Sequence, residues 1–400
     1  MPSALFARSP DLQRLLNEGY EVDVRAGHLV VDHVPYVTPE RQVAYGTLVA
    51  PLTIDGERVA QPETHTVSFA GAIPSNLSGQ QLKLLHSSER RDLADGLTVD
   101  HMFSSKPPPG VYGDDRPGLY PDWYEQMTTY IGILCGPARE LDPEATARTH
   151  RVILTPDEDS VFNYVDTAST RAGIAALGSR LEQRVAIAGL GGTGSYIFDQ
   201  IAKTPATEIH LFDGDVFHQH NAFRSPSAAS RETIDRRLNK AVYYAELYAP
   251  MRRKIFAHPE YLTEANLDSL SDIDFVFVAI DDGEARRPIV AWLEQADKPF
   301  IDVGMGVAEE NGALSGLLRV TTSTPGQRQH VHDKHRIPFA APGPEDDYER
   351  NIQVADLNGL NAALAVVRWK RHCGYYRDLE HEHFTLYATD GNSIANDDQS

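Results

Sequence analysis

The chain has 400 residues, 41% of them hydrophobic and 24% charged, which is enough apolar material for two or three domains with sizeable cores and excludes wholesale disorder. Lys and Arg number 37 against 57 Asp and Glu, a formal charge of -20 with no long basic block, so the composition argues against nucleic acid or an anionic membrane surface as a partner. No run of 18 apolar residues reads as a membrane span, residues 1–10 lack a secretory pattern, and two cysteines, Cys135 and Cys373, cannot build a disulfide framework or a four-thiolate zinc site; the expectation is a cytoplasmic protein.

In chain order, residues 27–37, 43–54 and 65–73 are short β-like runs separated by Pro, Gly and Asn. Residues 104–121 are too rich in Pro and Gly for helix or central strand and read as a long loop. Residues 122–138 read as one helix closed by Gly136 and Pro137. Beyond about residue 150 the pattern changes. Residues 184–190 form a continuous apolar run ending in glycine, the mark of a buried parallel strand, and a helical pattern follows over 194–204. Residues 208–215, 273–282 and 299–307 are further strands, the first two with acids at their ends. Residues 358–376 make a long amphipathic helix, and the polar tail from Asp390 is expected to fray. There is no internal repeat. The expected organisation is an N-terminal α+β domain over 1–150, a doubly wound, Rossmann-like, mostly parallel α/β sheet over 151–389, and a polar tail over 390–400.

The turn after the first buried strand places Gly189, Gly191 and Gly194 in the spacing G-x-G-x-x-G at the start of a helix, where bare backbone and free N–H groups receive phosphate. Asp213 lies 22 residues past Gly191 at the end of the next strand, where a carboxylate accepts ribose hydroxyls. This much fits either an NAD(P)-dependent oxidoreductase or an ATP-using adenylyltransferase. The following residues favour the second: Asp213 and Asp215, then Asn221 and Arg224, Lys240, and paired acids with paired arginines over 281–287. Any one of these charges alone reads as a surface residue. Together they supply cations for a triphosphate and a carboxylate for Mg²⁺, which hydride transfer does not need.

On these residues the sequence resembles the ThiF/MoeB adenylyltransferases, whose fold is shared with the activating enzymes of ubiquitin-like proteins. The matching features are the glycine turn 189–195, the D-x-D at Asp213 and Asp215, the N-x-x-R at Asn221 and Arg224, the helix lysine Lys240, and a D-x-x-x-x-R that fits as Asp281 with Arg286 or Asp282 with Arg287, the first being preferred. The resemblance implies that Gly189, Gly191, Gly192, Thr193 and Gly194 lie against ATP phosphates. It further implies that Asp213 holds the ribose beside Asp215, that Asn221, Arg224 and Lys240 contact phosphates, and that Asp281 binds Mg²⁺. Arg171 is the candidate for an arginine that such enzymes receive from upstream, often from a partner subunit. The implied reaction joins the C-terminal glycine carboxylate of a ubiquitin-like β-grasp protein to AMP. The implied partners are that protein, a conjugating-enzyme-like protein and a second copy of the chain, packed through the helix stripe containing Leu364 and Val367. A catalytically silent binding module is the remaining alternative.

The sequence departs from the family in two ways. It has no C-x-x-C pairs, so no structural zinc is expected, and it has no cysteine from Asp302 to Asn351, where related activating enzymes carry their nucleophile. His330, His332 and His335 are read as part of a mobile crossover loop and Ser323 as a minor candidate acceptor; Cys135 and Cys373 are read as packing residues. The first 150 residues resemble an uncharacterised bacterial domain fused to such adenylyltransferases, and are read as a docking module. His33, His65 and His86 are taken there as structural.

Overall fold

The computed structural model describes residues 9–55, 58–112, 117–152, 160–166, 174–340 and 352–399. It divides into two compact units, Met1–Asp159 with Tyr164–Ala176, and Ser160–Asn163 with Leu177–Ser400.

The first unit opens with helix α1 (Pro10–Asn17). Strands β1 (Glu21–Arg25), β2 (His28–Val37), β3 (Val43–Pro51), β4 (Ile54–Asp55), β5 (Arg58–Val59), β6 (Thr66–Ala70), β7 (Leu85–Ala94) and β8 (Leu97–Ser104) follow, then helix α2 (Trp123–Leu141). Six of these strands form one antiparallel sheet in the order β1-β2-β3-β6-β8-β7, and β4 pairs with β5 separately. Leu29, Val31, Leu48, Val67, Phe69 and Phe103 from the sheet meet Trp123, Met127, Tyr130 and Leu134 from α2 in one apolar core. The helix does not stop at Gly136 and Pro137 as expected. Pro137 forgoes its own backbone bond, but Ala138 is buried with Val37 and Ala145, and its carbonyl accepts the Asp142 N–H.

The second unit contains β9 (Arg184–Ala188), α3 (Gly192–Ala202), β10 (Glu208–Phe212), α4 (Gln219–Ala222), α5 (Arg231–Asp235), α6 (Lys240–Tyr248), β11 (Ile255–His258) and β12 (Phe275–Val278). It continues with α7 (Gly283–Gln295), β13 (Phe300–Glu310), β14 (Ala313–Ser323), α8 (Gln329–Asp333), α9 (Ala355–His372), β15 (Phe384–Ala388) and β16 (Ser393–Asp397). The sheet order is β11-β10-β9-β12-β13-β14-β15-β16; the first five neighbours run parallel and the last four antiparallel. The expected α/β sheet with a separate N-terminal domain is therefore present.

Burial on both faces explains the apolar runs. Val185, Ile187, Phe275 and Phe277 face one core with α3 and α9, whereas Ala186, Ala188, Val276 and Val278 face another with α7. Each large apolar side chain so buried contributes about 1.5–3 kcal/mol. Helix α9 puts Ala362, Ala365, Val366 and Trp369 into the first of these cores, and Val367 remains 38% exposed.

The tail does not fray as expected. Strand β16 pairs along β15, and the buried Asp398 carboxylate binds Lys334 (2.5 Å) and Arg336 (2.8 Å). Two cations that follow α8 thus fasten the polar end of the chain.

Asp302 on β13 is fully buried, 2.6 Å from Arg319 of β14 and 3.0 Å from Arg286 of α7. Removing its carboxylate would leave the buried Arg286 and the largely buried Arg319 guanidinium groups without their counter-charge. Asp302→Ala should therefore destabilise the second unit by about 3–5 kcal/mol, measured as lost amide-exchange protection in β13 and β14.

Candidate active site

Strand order reverses between β9 and β12, so the connections leaving the two strands diverge and open a crevice at their C-terminal ends. The glycine turn occupies that position. Gly189 has φ +88°, and a Cβ there would lie 2.5 Å from the Ala279 carbonyl oxygen; a Cβ at Gly194 would lie 1.9 Å from the carbonyl oxygen of Gly189. Any side chain at these two positions would push α3 away from β9. With glycine, α3 begins at Gly192, with Gly191 at its N-cap, and its first-turn N–H groups are left without helical partners beside the turn.

Asp213 and Asp215 leave β10 beside this turn but play different parts. Asp213 is 5% exposed: Oδ2 accepts the Leu190 N–H (2.7 Å) and Oδ1 the Asp215 N–H (2.8 Å). Its burial raises its pKa, partly offset by Lys240 and the two N–H donors. Both Asp213 oxygens thus face backbone donors inside the fold. The Asp215 side chain is 52% exposed. Partial burial would raise its pKa, but hydrogen bonds from Lys240 Nζ (2.7 Å) and the Tyr261 hydroxyl outweigh this and hold it below the usual carboxylate range.

Lys240 is the first residue of α6, which is capped by Asn239; the Asn239 side chain also donates to the carbonyls of Asp213 (2.7 Å) and Asp215 (3.0 Å). The α6 start is thereby tied to the end of β10, with Lys240 Nζ 3.6 Å from Asp213 and 2.7 Å from Asp215. Tyr261 and Asn239 belong to this cluster and were not expected from the sequence.

Asn221 lies in the short helix α4, buried, with Oδ1 accepting the His218 N–H (2.8 Å). That bond fixes the turn from which Arg224 emerges; the Arg224 N–H donates to the Asn221 carbonyl (3.1 Å). Arg224, His220, Phe223 and Gln353 line a cleft of about 410 Å³. Burial, followed by the charges of Arg224, His218 and Lys240, lowers the His220 pKa and favours its neutral form. Asn358 on α9, another residue the sequence did not single out, accepts the Thr193 hydroxyl (3.0 Å) and donates to the Arg224 carbonyl (3.3 Å).

At the end of β12 the two acids also differ. Asp282 caps α7, accepting the N–H groups of Glu284 (2.8 Å) and Ala285 (3.3 Å). The neighbouring Asp281 is exposed, and its carboxylate makes no hydrogen bond or ion pair with the described residues. Arg286 is buried on Asp302, whereas Arg287 is exposed and reaches the Phe339 carbonyl.

Arg171 lies outside the described residues. Ser323 is not an acceptor: it is fully buried and paired opposite Phe300, at the N-terminal end of β13. The expected crossover loop is in its described part ordered instead. Within it, α8 carries His330, which is buried, and His332, which sits 2.9 Å from Glu294. Burial pushes the Cys135 thiol up to about 11 and the Cys373 thiol to about 12.

Residues 166–357 match the ThiF family, and residues 10–167 match a domain of unknown function, DUF6791. No curated protein matches the chain. Among solved structures, E. coli MccB with MccA-N7isoASN is 17% identical with TM-score 0.46, covering 58% of this chain and 70% of that one. E. coli MccB with ATP is 18% identical with TM-score 0.43, covering 57% and 67%. PaaA is 17% identical with TM-score 0.41, covering 56% and 75%.

Two outcomes follow from these side chains. Asp282→Ala should cost about 1 kcal/mol of stability through loss of a helix cap, while Asp281→Ala should change stability by less than about 0.5 kcal/mol; denaturant titration of the two variants distinguishes them. In the native protein at pH 7.5 both thiols should resist iodoacetamide under conditions that fully alkylate a free cysteine, because the thiolate is the reactive form; both should label once the chain is denatured, as read by intact mass.

Proposed function

Residues 166–357 form a ThiF family domain, and from that premise we propose that the chain uses ATP and Mg²⁺ to adenylate the C-terminal glycine of a ubiquitin-like β-grasp protein. The observation that carries the reading is the gathering of Lys240, Arg224 and the exposed carboxylates Asp215 and Asp281 around a glycine turn at the reversal of strand order. A mononucleotide triphosphate needs all of these together: bare backbone for its phosphates, cations for its charge, a carboxylate for its ribose and another for its metal.

In this reading Gly191, Gly192, Thr193 and Gly194 receive phosphate, Gly189 shapes the turn, and Asp215 takes the ribose hydroxyls while Asp213 keeps the turn in place. Arg224 and Lys240 stabilise charge on the phosphates, and Asn221 holds Arg224 in position with its amide N–H groups left to donate. Magnesium is commonly held by one or two carboxylates together with substrate phosphates, so the single exposed Asp281 fits that role without a cage of protein ligands. When bound, the ion would neutralise phosphate charge.

The glycine carboxylate oxygen attacks the α-phosphorus, the bond to the bridging β-phosphate oxygen breaks, and pyrophosphate leaves with the electron pair. Arg224 and Lys240 act where that negative charge grows. The resulting acyl-adenylate passes directly to a conjugating-enzyme-like protein, a hand-over in keeping with the burial that raises the pKa of both thiols. The N-terminal unit serves as a docking module, the working assembly is a homodimer through the outer face of α9, Arg171 is the candidate arginine acting in trans, and the cytoplasm is the place of action.

Pyrophosphate–ATP exchange by the full chain, with a β-grasp protein ending in glycine, tests the proposal. Arg224→Ala and Lys240→Ala should each lower exchange by about a hundredfold or more with unchanged circular dichroism. Asp281→Ala should abolish it and Asp282→Ala should largely retain it. Reduction of NAD without ATP binding would replace this reading with an oxidoreductase, and ATP binding without exchange would replace it with a silent binding module.

A further inference from the structure

We propose that Asn358 is a positioning residue that couples the glycine turn to Arg224, so that phosphate binding at one and charge stabilisation at the other depend on a single side-chain amide. The inference rests on the adenylation reading above. Asn358 lies in the first turn of α9 and is 1% exposed. Its Oδ1 accepts the Thr193 hydroxyl at 3.0 Å, and its Nδ2 donates to the Arg224 backbone carbonyl at 3.3 Å. Thr193 is in the first turn of α3, and Arg224 follows α4, so the amide joins three separate elements.

The glycine turn is shaped around this side chain. A Cβ at Gly192 would fall 2.1 Å from Asn358 Nδ2 and 2.4 Å from its Oδ1, so the absence of a side chain at Gly192 creates the space that Asn358 fills. Gly192 has no left-handed backbone to explain it, and close approach is the remaining constraint.

The planar amide explains why the arrangement transmits position. Its acceptor and donor sit at a fixed separation, so the Thr193 hydroxyl and the Arg224 carbonyl cannot drift independently. The Arg224 side chain needs such an anchor, because its Nε is buried without a hydrogen-bond partner and no described residue bonds its guanidinium. Its reach into the cleft is therefore set by its backbone, which Asn221 holds on one side and Asn358 on the other. Gln353, just before α9, lines the same cleft, so the start of α9 forms part of the site wall as well as its brace.

The test is a double-mutant cycle on ATP·Mg²⁺ affinity, measured by calorimetry on the full chain, with thermal midpoints recorded in parallel without nucleotide. Asn358→Ala should raise the dissociation constant for ATP about tenfold in the wild-type background and less than about twofold in an Arg224→Ala background, because the lost positioning acts through Arg224. A merely structural role would lower the thermal midpoint and weaken ATP equally in both backgrounds. If Asn358→Ala fails to fold, Asn358→Ser supplies the second arm: it keeps a small polar side chain but cannot bridge Thr193 and the Arg224 carbonyl, and should weaken ATP about tenfold in the wild-type background and less than about twofold with Arg224→Ala. Equal affinity of the Asn358 variant and wild-type proteins, or additive effects with Arg224→Ala, would overturn the assignment. Failure of the wild-type chain to bind ATP at all would instead overturn the adenylation reading on which it rests.

Discussion

A carboxylate sealed inside a fold must be surrounded by donors, and Asp213 is the point on which this crevice turns. Its two oxygens take the backbone N–H groups of Leu190 and Asp215, and Lys240 stands 3.6 Å away. One side chain thereby fixes the glycine turn after β9, the loop after β10 and the first residue of α6. Desolvation works against its charge, and the nearby ammonium and two N–H donors work for it. Asp215, two residues later, remains half exposed at the surface. Burial thus divides two identical side chains into an enclosed one and an exposed one.

The same division recurs at the end of β12. Asp282 is consumed by the N-terminus of α7, and Asp281 stays exposed. Arg286 turns inward to Asp302, so the charges there serve packing on one side of the strand end and face solvent on the other. The crevice thus rests on a buried layer of paired charge, Asp302 with Arg286 and Arg319 and Asp213 with Lys240, from which Lys240 also reaches the exposed Asp215. Such a layer is costly to desolvate and costly to break, which makes it a means of fixing geometry more than a source of net stability.

Much of this was legible in the sequence because buried parallel strands must be continuously apolar, and β9, β10, β12 and β13 announce themselves that way. The glycine turn was equally plain, since few backbones other than glycine tolerate its approach to Ala279. The edge strand β7 was not legible: its residues are largely exposed and polar, and its Asp95-Gly96 turn to β8 was the signal available. Strands β14 to β16 were missed because their partly exposed residues give no unbroken apolar run, although Asn311-Gly312 marks the first of their turns. The division of labour between Asp213 and Asp215 could not be read from spacing, because it depends on which carboxylate the turn folds over. Asn358 was hidden for a similar reason: a lone asparagine on an amphipathic helix looks like a solvated residue until Gly192 is placed beside it.

The account stands on transfer of AMP to a carboxylate. The most direct measurement is to incubate the full chain with α-labelled ATP, Mg²⁺, hydroxylamine and a β-grasp protein ending in glycine, and to identify the nucleotide product together with the mass of the acceptor. The account predicts AMP and pyrophosphate in equal amounts, no ADP, and a C-terminal hydroxamate on the acceptor formed by trapping of the acyl-adenylate. Release of ADP and phosphate, with the acceptor unchanged in mass, would contradict it.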